Sequence, residues 1–267
     1  MPDPVRTLNR AGMNILVFAD AGLASRAAAN QIARTIKDSV ASRGRATLGL
    51  ATGATPQKVY AHLVSLHQEG ELSFRDVSTY NLDEYYPIQP LDPKSYRFYM
   101  HQHLFGLVDL SPDHAHVFDG TVPEAFAAEY CAEYDRWIAA DGGLDLQLLG
   151  IGRNGHIGFN EPSDLSVQDA LALPSRLTEL HPTTRADAAK EFGHESRVIP
   201  RALTVGIAPI VAAQSILILA TGSHKAKAAS LAIDGPVTAK LPASLLQTAE
   251  SKVTWMLDEA AATELKS

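Results

Sequence analysis

Leu144-Asp145-Leu146-Gln147-Leu148-Leu149 runs directly into Gly150-Ile151-Gly152-Arg153-Asn154-Gly155-His156-Ile157-Gly158-Phe159-Asn160-Glu161-Pro162, and the reading of this junction decides the fold. The first run is a strand in composition. The second holds four glycines in nine residues, Gly150 to Gly158, which permit positive φ angles and close backbone approach where a small ligand could sit. The loop also carries the groups that acid–base chemistry needs: the imidazole of His156, the carboxylate of Glu161 and the amide of Asn154. Five residues is the wrong spacing for one helix face, so Glu161 reaches His156 only if the loop curls back. A plain glycine-rich turn, with His156 capping the strand end, is the blander alternative.

Outward from this loop the chain alternates short apolar runs with helix-period segments. Asn14–Ala19, Ala46–Ala51, Val77–Leu82, Ser215–Ala220 and Val253–Leu257 read as further strands. Ala28, Ile32, Ile36 and Val40 repeat at the spacing of a helix face, and a second helix runs to about Gln68 with Thr55 as its N-cap and Pro56 in the first position. Ser95–Phe105, Thr184–Phe192 and Ala226–Ile233 also read as helices. Phe126, Tyr130, Tyr134, Trp137 and Ile138 form one stripe that belongs to a core and not to a cofactor site. Pro174–Leu180 is ambiguous. The alternation predicts an α/β fold with a doubly wound, mainly parallel sheet and helices on both faces, Rossmann-like, with residues 1–267 as one domain.

With 267 residues, 46% hydrophobic and 20% charged, the chain is long enough for a sizeable core. A net charge of −7 gives no global reason to expect nucleic acid or an anionic membrane, so any anionic ligand needs a local basic pocket. The single cysteine, Cys131, forms no internal disulfide, and Met1–Arg10 lacks the apolar core of a signal peptide. The longest apolar runs are strand-sized, short of a membrane span. A cytoplasmic protein is the expectation.

In parallel sheets of this kind, ligands bind beyond the carboxyl ends of the strands. The loops after Ala51, Leu82, Leu149 and Ala220 all fall there. Thr52-Gly53-Ala54-Thr55 offers backbone N–H groups at a helix start, and Lys225 opens another helix after a Gly-Ser turn, where a cation opposes the helix dipole unless it faces an anion. Either alone is more often a plain cap or a surface charge; together they point to phosphate. Asp83 and Glu84, ending a strand, read as a solvated acidic turn, as metal ligands or as a proton-abstracting base. The residues alone therefore describe an enzyme acting on a small phosphorylated molecule by acid–base chemistry.

Six stretches, Gly49–Pro56 (GLATGATP), Tyr80–Tyr85 (YNLDEY), Pro93–Tyr96 (PKSY), Gly150–Pro162, Ala202–Gly206 (ALTVG) and Ala220–Ala226 (ATGSHKA), together resemble the glucosamine-6-phosphate deaminase family along nearly the whole chain. The resemblance implies conversion of glucosamine 6-phosphate to fructose 6-phosphate and ammonia without an organic cofactor or metal. It implies that His156 opens the sugar ring with Glu161 and Asn154 orienting it, that Asp83 moves the C2 proton, and that the phosphate lies on Thr52, Gly53, Ala54, Thr55, Lys190 and Lys225. A homo-oligomer is compatible with it.

Three positions depart from the family pattern. Asn154 stands where many members have Asp, Lys190 where Arg is common, and Ala54 where a second glycine is usual. Within Ser163–Leu180, Thr178 and Glu179 replace the basic and hydroxyl residues of the regulatory loop found in allosteric relatives, so activation by N-acetylglucosamine 6-phosphate is not expected. The alternatives are a 6-phosphogluconolactonase-like hydrolase, a catalytically silent sugar-phosphate sensor, and a metal-dependent isomerase using Asp83, Glu84 and His156.

Overall fold

The apolar runs read as strands meet in one sheet. The structure is a computed structural model and describes residues 2–266. The chain begins with a hairpin, β1 (Arg6–Arg10) and β2 (Met13–Phe18), then the long helix α1 (Ala21–Arg43), β3 (Ala46–Leu50), α2 (Ala54–Gln68), β4 (Val77–Asn81) and β5 (Asp83–Tyr86). Helix α3 (Tyr96–His103), β6 (Ala115–His116), α4 (Ala127–Ala140) and β7 (Leu146–Leu149) follow. Beyond the glycine-rich loop come α5 (Val167–Leu171), β8 (Arg176–Glu179), α6 (Pro182–Phe192), β9 (Arg201–Thr204), α7 (Ile207–Ala212), β10 (Ile216–Ala220), α8 (Ala226–Asp234) and β11 (Val253–Asp258).

Eight strands form the large sheet in the order β1-β2-β11-β10-β7-β3-β4-β6, parallel throughout except for the edge strand β1. Strands β3, β7 and β10 are buried at every residue, as expected of central parallel strands covered on both faces. Helix α1 packs on β2, β3, β10 and β11 through Ala24, Ala28, Ile32 and Ile36, the face its periodicity predicts; Asp20 caps its start by accepting from the Leu23 N–H at 2.8 Å. From β3 the chain builds outward through β4 to β6, and from β7 it builds the other way through β10 and β11. The order therefore reverses between β3 and β7, the position where such sheets leave a crevice.

A three-stranded antiparallel sheet, β5-β9-β8, stands beside the large one. Leu82 is the hinge between them: its N–H donates to the Leu50 carbonyl at 2.9 Å and its carbonyl accepts from Val205 at 2.7 Å. Of the readings open for Asp83 and Glu84 the solvated acidic turn falls, since Asp83–Tyr86 is itself a buried strand, and the ambiguous Pro174–Leu180 segment contains β8. Two other expectations shift. Phe126 is exposed, because α4 starts one residue after it and Phe126 closes a 3₁₀ turn, while Tyr134 and Ile138 are buried. Helix α2 is capped by Gly53 and not Thr55, a change that bears on the site.

Candidate active site

The loops after β3, β4, β7 and β10 enclose a cavity of about 290 Å³ at the strand-order reversal. Thr52, Gly53, Ala54 and Thr55 line it. Gly53 has φ +109°, a conformation that only glycine adopts without strain, and as N-cap it supplies no side chain to the first turn of α2. The backbone N–H groups there stay available to an anion. Ala54 is already helical and needs no positive φ, so the alanine in place of the usual glycine is accommodated. Tyr99 of α3 holds the loop from the other side, its hydroxyl donating to the Gly53 carbonyl at 2.7 Å. Lys225 joins from the loop after β10. Burial lowers its pKa, Asp187 works against that and Arg153 adds to it.

His156 faces the same cavity. Its ring is fixed from behind by a chain of contacts that the curled loop creates. The Asn154 Nδ2 donates to Glu161 Oε2 at 2.9 Å, which turns Asn154 Oδ1 toward His156 Nδ1 at 2.7 Å. A carboxylate accepts only, so the amide must point its NH₂ at Glu161 and its oxygen at the imidazole. Nδ1 therefore carries the proton, and the Nε2 lone pair is left for the cavity. Burial pushes Glu161 up, but hydrogen bonds from His156, Thr184 and Asn154, with the nearby imidazole, hold its carboxyl down at about 2. Thr184 of α6, a residue the sequence did not single out, adds a contact to His156 Nδ1 at 3.2 Å.

Asp83, the first residue of β5, lines the cavity while only 6% exposed. Burial, reinforced by the charge of Glu84, raises its pKa to about 8. Its neighbour Glu84 faces away. That carboxylate accepts from the Ser95 hydroxyl at 2.7 Å and from the N–H groups of Tyr96, Arg97 and Tyr85 at 2.8, 3.0 and 2.9 Å, so it anchors the start of α3. With its lone pairs taken, Glu84 is neither a metal ligand nor a base, which corrects two of the readings open from sequence. Among the described residues no group of three or more His, Cys, Asp or Glu is placed to hold a metal ion. Glu84→Ala should destabilise the protein by about 3 kcal/mol, as a buried, fully bonded anchor is removed and four donors lose their acceptor. Thermal or urea unfolding checks this.

Lys190 does not meet its expectation. It is exposed and does not line the cavity, because the cavity side of α6 carries Thr184, Asp187, Ala188 and Glu191, and Lys190 lies about 100° around the helix from Glu191. Tyr85, Tyr96, Phe159 and His224 complete the walls and were not picked out beforehand. Periodicity starting from Thr184 would have found the α6 residues; the others lie within the quoted stretches Tyr80–Tyr85, Pro93–Tyr96, Gly150–Pro162 and Ala220–Ala226.

The family model for glucosamine-6-phosphate isomerases and 6-phosphogluconolactonase matches residues 19–255. Glucosamine-6-phosphate deaminase 2 of Bacillus subtilis (strain 168) is 42% identical over 237 residues, 88% of this chain and 92% of that protein. Glucosamine-6-phosphate deaminase of Cellvibrio japonicus (strain Ueda107) is 40% identical over 253 residues, 95% and 92% of the two chains. The solved structure of a monomeric glucosamine-6-phosphate deaminase superposes with a TM-score of 0.86 at 37% identity, covering 94% of this chain and 99% of its own. A 6-phosphogluconolactonase from Trypanosoma brucei shares the fold, with a TM-score of 0.74, at only 19% identity. On these grounds, and on a family match spanning every loop that lines the cavity, the chain belongs to the glucosamine-6-phosphate isomerase and 6-phosphogluconolactonase family.

Proposed function

We propose that this protein is a deaminating aldose–ketose isomerase that converts glucosamine 6-phosphate and water to fructose 6-phosphate and ammonia. The observation that carries the reading is a buried carboxyl, Asp83, sharing one cavity with an imidazole whose Nε2 is free, beside a helix start with no side-chain cap and a lysine. His156 moves protons between O5 and O1 to open the ring. Asp83 takes the C2 proton of the open-chain sugar and returns one to C1, so the C2 amine becomes an imine that water converts to ketone and ammonia. A pKa near 8 suits a base that must accept a proton near neutral pH. The phosphate lies on the Thr52–Thr55 loop and Lys225. All reacting groups come from one α/β domain, and a phosphorylated sugar as substrate fits a cytoplasmic address.

A lactonase needs no carbon base, which argues against hydrolysis, and relatives at 40 to 42% identity bear the deaminase name whereas the lactonase structure stands at 19%. Ammonia release from glucosamine 6-phosphate tests the proposal directly. Full activity should persist in excess chelator, and absence of ammonia would favour the lactonase or sensor readings. Lys225→Ala should raise KM by a factor corresponding to about 2 to 3 kcal/mol, with a smaller change in kcat. Lys190→Ala should shift KM by less than about twofold, as expected for a solvated surface charge. Steady-state kinetics on the two variants separate these outcomes.

A further inference from the structure

A sugar phosphate is a dianion near neutral pH, yet Lys225 is the one lysine or arginine side chain that lines the cavity among the described residues. The residue next to the cavity-lining Gly152 is Arg153, whose Nη2 meets Asp187 Oδ1 at 2.7 Å. Asp187 itself lines the cavity. Both partners are half in solvent, 55% and 44% exposed, so the pair is screened and weak. Among the described residues no other side chain hydrogen-bonds the Arg153 guanidinium, which leaves Nη1 and Nε as free donors. Asp187, which the Arg153 guanidinium contacts, and Lys225 line the same cavity.

Building on the phosphate reading above, we propose that Arg153 is a second phosphate-recognition residue, and that Asp187 sets substrate affinity by competing with the phosphate for its guanidinium. The planar fork of Arg153 can offer two parallel donors to a phosphate, a stronger partner than one exposed carboxylate. The role given to a cation on α6 thus passes to the glycine-rich loop, and α6 contributes the counter-charge. Because Arg153 and Asp187 are both exposed, their replacement leaves the core untouched.

The test is calorimetric binding of inorganic phosphate and of fructose 6-phosphate to the full chain, to Arg153→Ala, to Asp187→Asn and to the double variant. Arg153→Ala should weaken both probes about tenfold. Asp187→Asn should tighten both by roughly threefold, because the fork is released. In the Arg153→Ala background most of that gain should vanish. The proposal is overturned if Arg153→Ala binds both probes within twofold of wild type, if Asp187→Asn helps equally with and without Arg153, or if wild type binds neither probe. Binding needs no turnover, so a protein that releases no ammonia yet shows these shifts would sink the deaminase reading and leave this one standing; active enzyme with unshifted affinities would do the reverse.

Discussion

Asp83→Asn should lower turnover of glucosamine 6-phosphate by roughly 10²- to 10⁴-fold while making the folded protein more stable at alkaline pH. The two effects share one cause. Asp83 is a carboxyl held almost out of water, with Glu84 adding a like charge, so its proton is retained up to about pH 8 in the folded state against 3.8 for the free group. Between those values the folded chain binds the extra proton, and stability therefore falls as pH rises from about 4 through about 8. The amide keeps the shape and removes the buried charge. Its advantage in melting temperature should be absent below about pH 4 and full above about pH 8. On the activity side, wild-type kcat/KM should climb with pH toward 8 as the base loses its proton, and the variant should lack that limb. Exchange of the C2 hydrogen in heavy water, followed by NMR in both reaction directions, isolates the step. Exchange in Asp83→Asn as fast as in wild type would remove Asp83 as the base.

Gly152→Ala is expected to abolish most of the activity, by about 10²-fold or more in kcat, without unfolding the protein. A Cβ on residue 152 would overlap Cε1, Nδ1 and Nε2 of the His156 ring. The backbone cannot drift aside easily, since the Gly152 N–H donates to the His156 carbonyl at 2.9 Å and the Gly152 carbonyl accepts from Gly155 at 3.0 Å. The imidazole must therefore leave the position defined by Asn154 and Thr184, and a displacement of about 1 Å is enough to lose the reacting geometry. Affinity for inorganic phosphate should stay within a few-fold of wild type, because the Thr52–Thr55 loop and Lys225 are untouched and the pinned backbone keeps Arg153 in place. More than a tenth of wild-type turnover would mean that this ring position is not the reacting one.

Much of this was legible beforehand, for a physical reason: a buried parallel strand leaves a continuous apolar run, as in Ile216–Ala220, and the loops that follow such runs converge whatever their order in the chain. The curl that brings Glu161 and Asn154 behind His156 was required by their spacing and is present. What escaped notice lies where neighbours decide. Asp83 to Tyr86 pairs with β9, more than a hundred residues away, so no local pattern marks it as a strand of another sheet. Arg6–Arg10 is an edge strand with mostly exposed residues and lacks an apolar signature. Lys190 stands where the family motif carries its cation, and one step of helix rotation carries it out of the cavity. Glu84 looked like chemistry because acidic pairs often are, and its hydrogen bonds to α3 cannot be read from composition.

That anchor has a consequence for which sugars fit. Glu84 is covalently next to Asp83 and clamps the first residues of α3; one turn further along, Tyr99 grips the Gly53 carbonyl of the phosphate loop. The proposed proton acceptor and the proposed phosphate cradle are therefore two jaws of one caliper, their separation fixed by a rigid helical strut. Such a gauge measures carbon chains. With its phosphate seated, a five-carbon amino sugar stops one bond short of the far jaw, and discrimination by length needs no contact with the carbons in between.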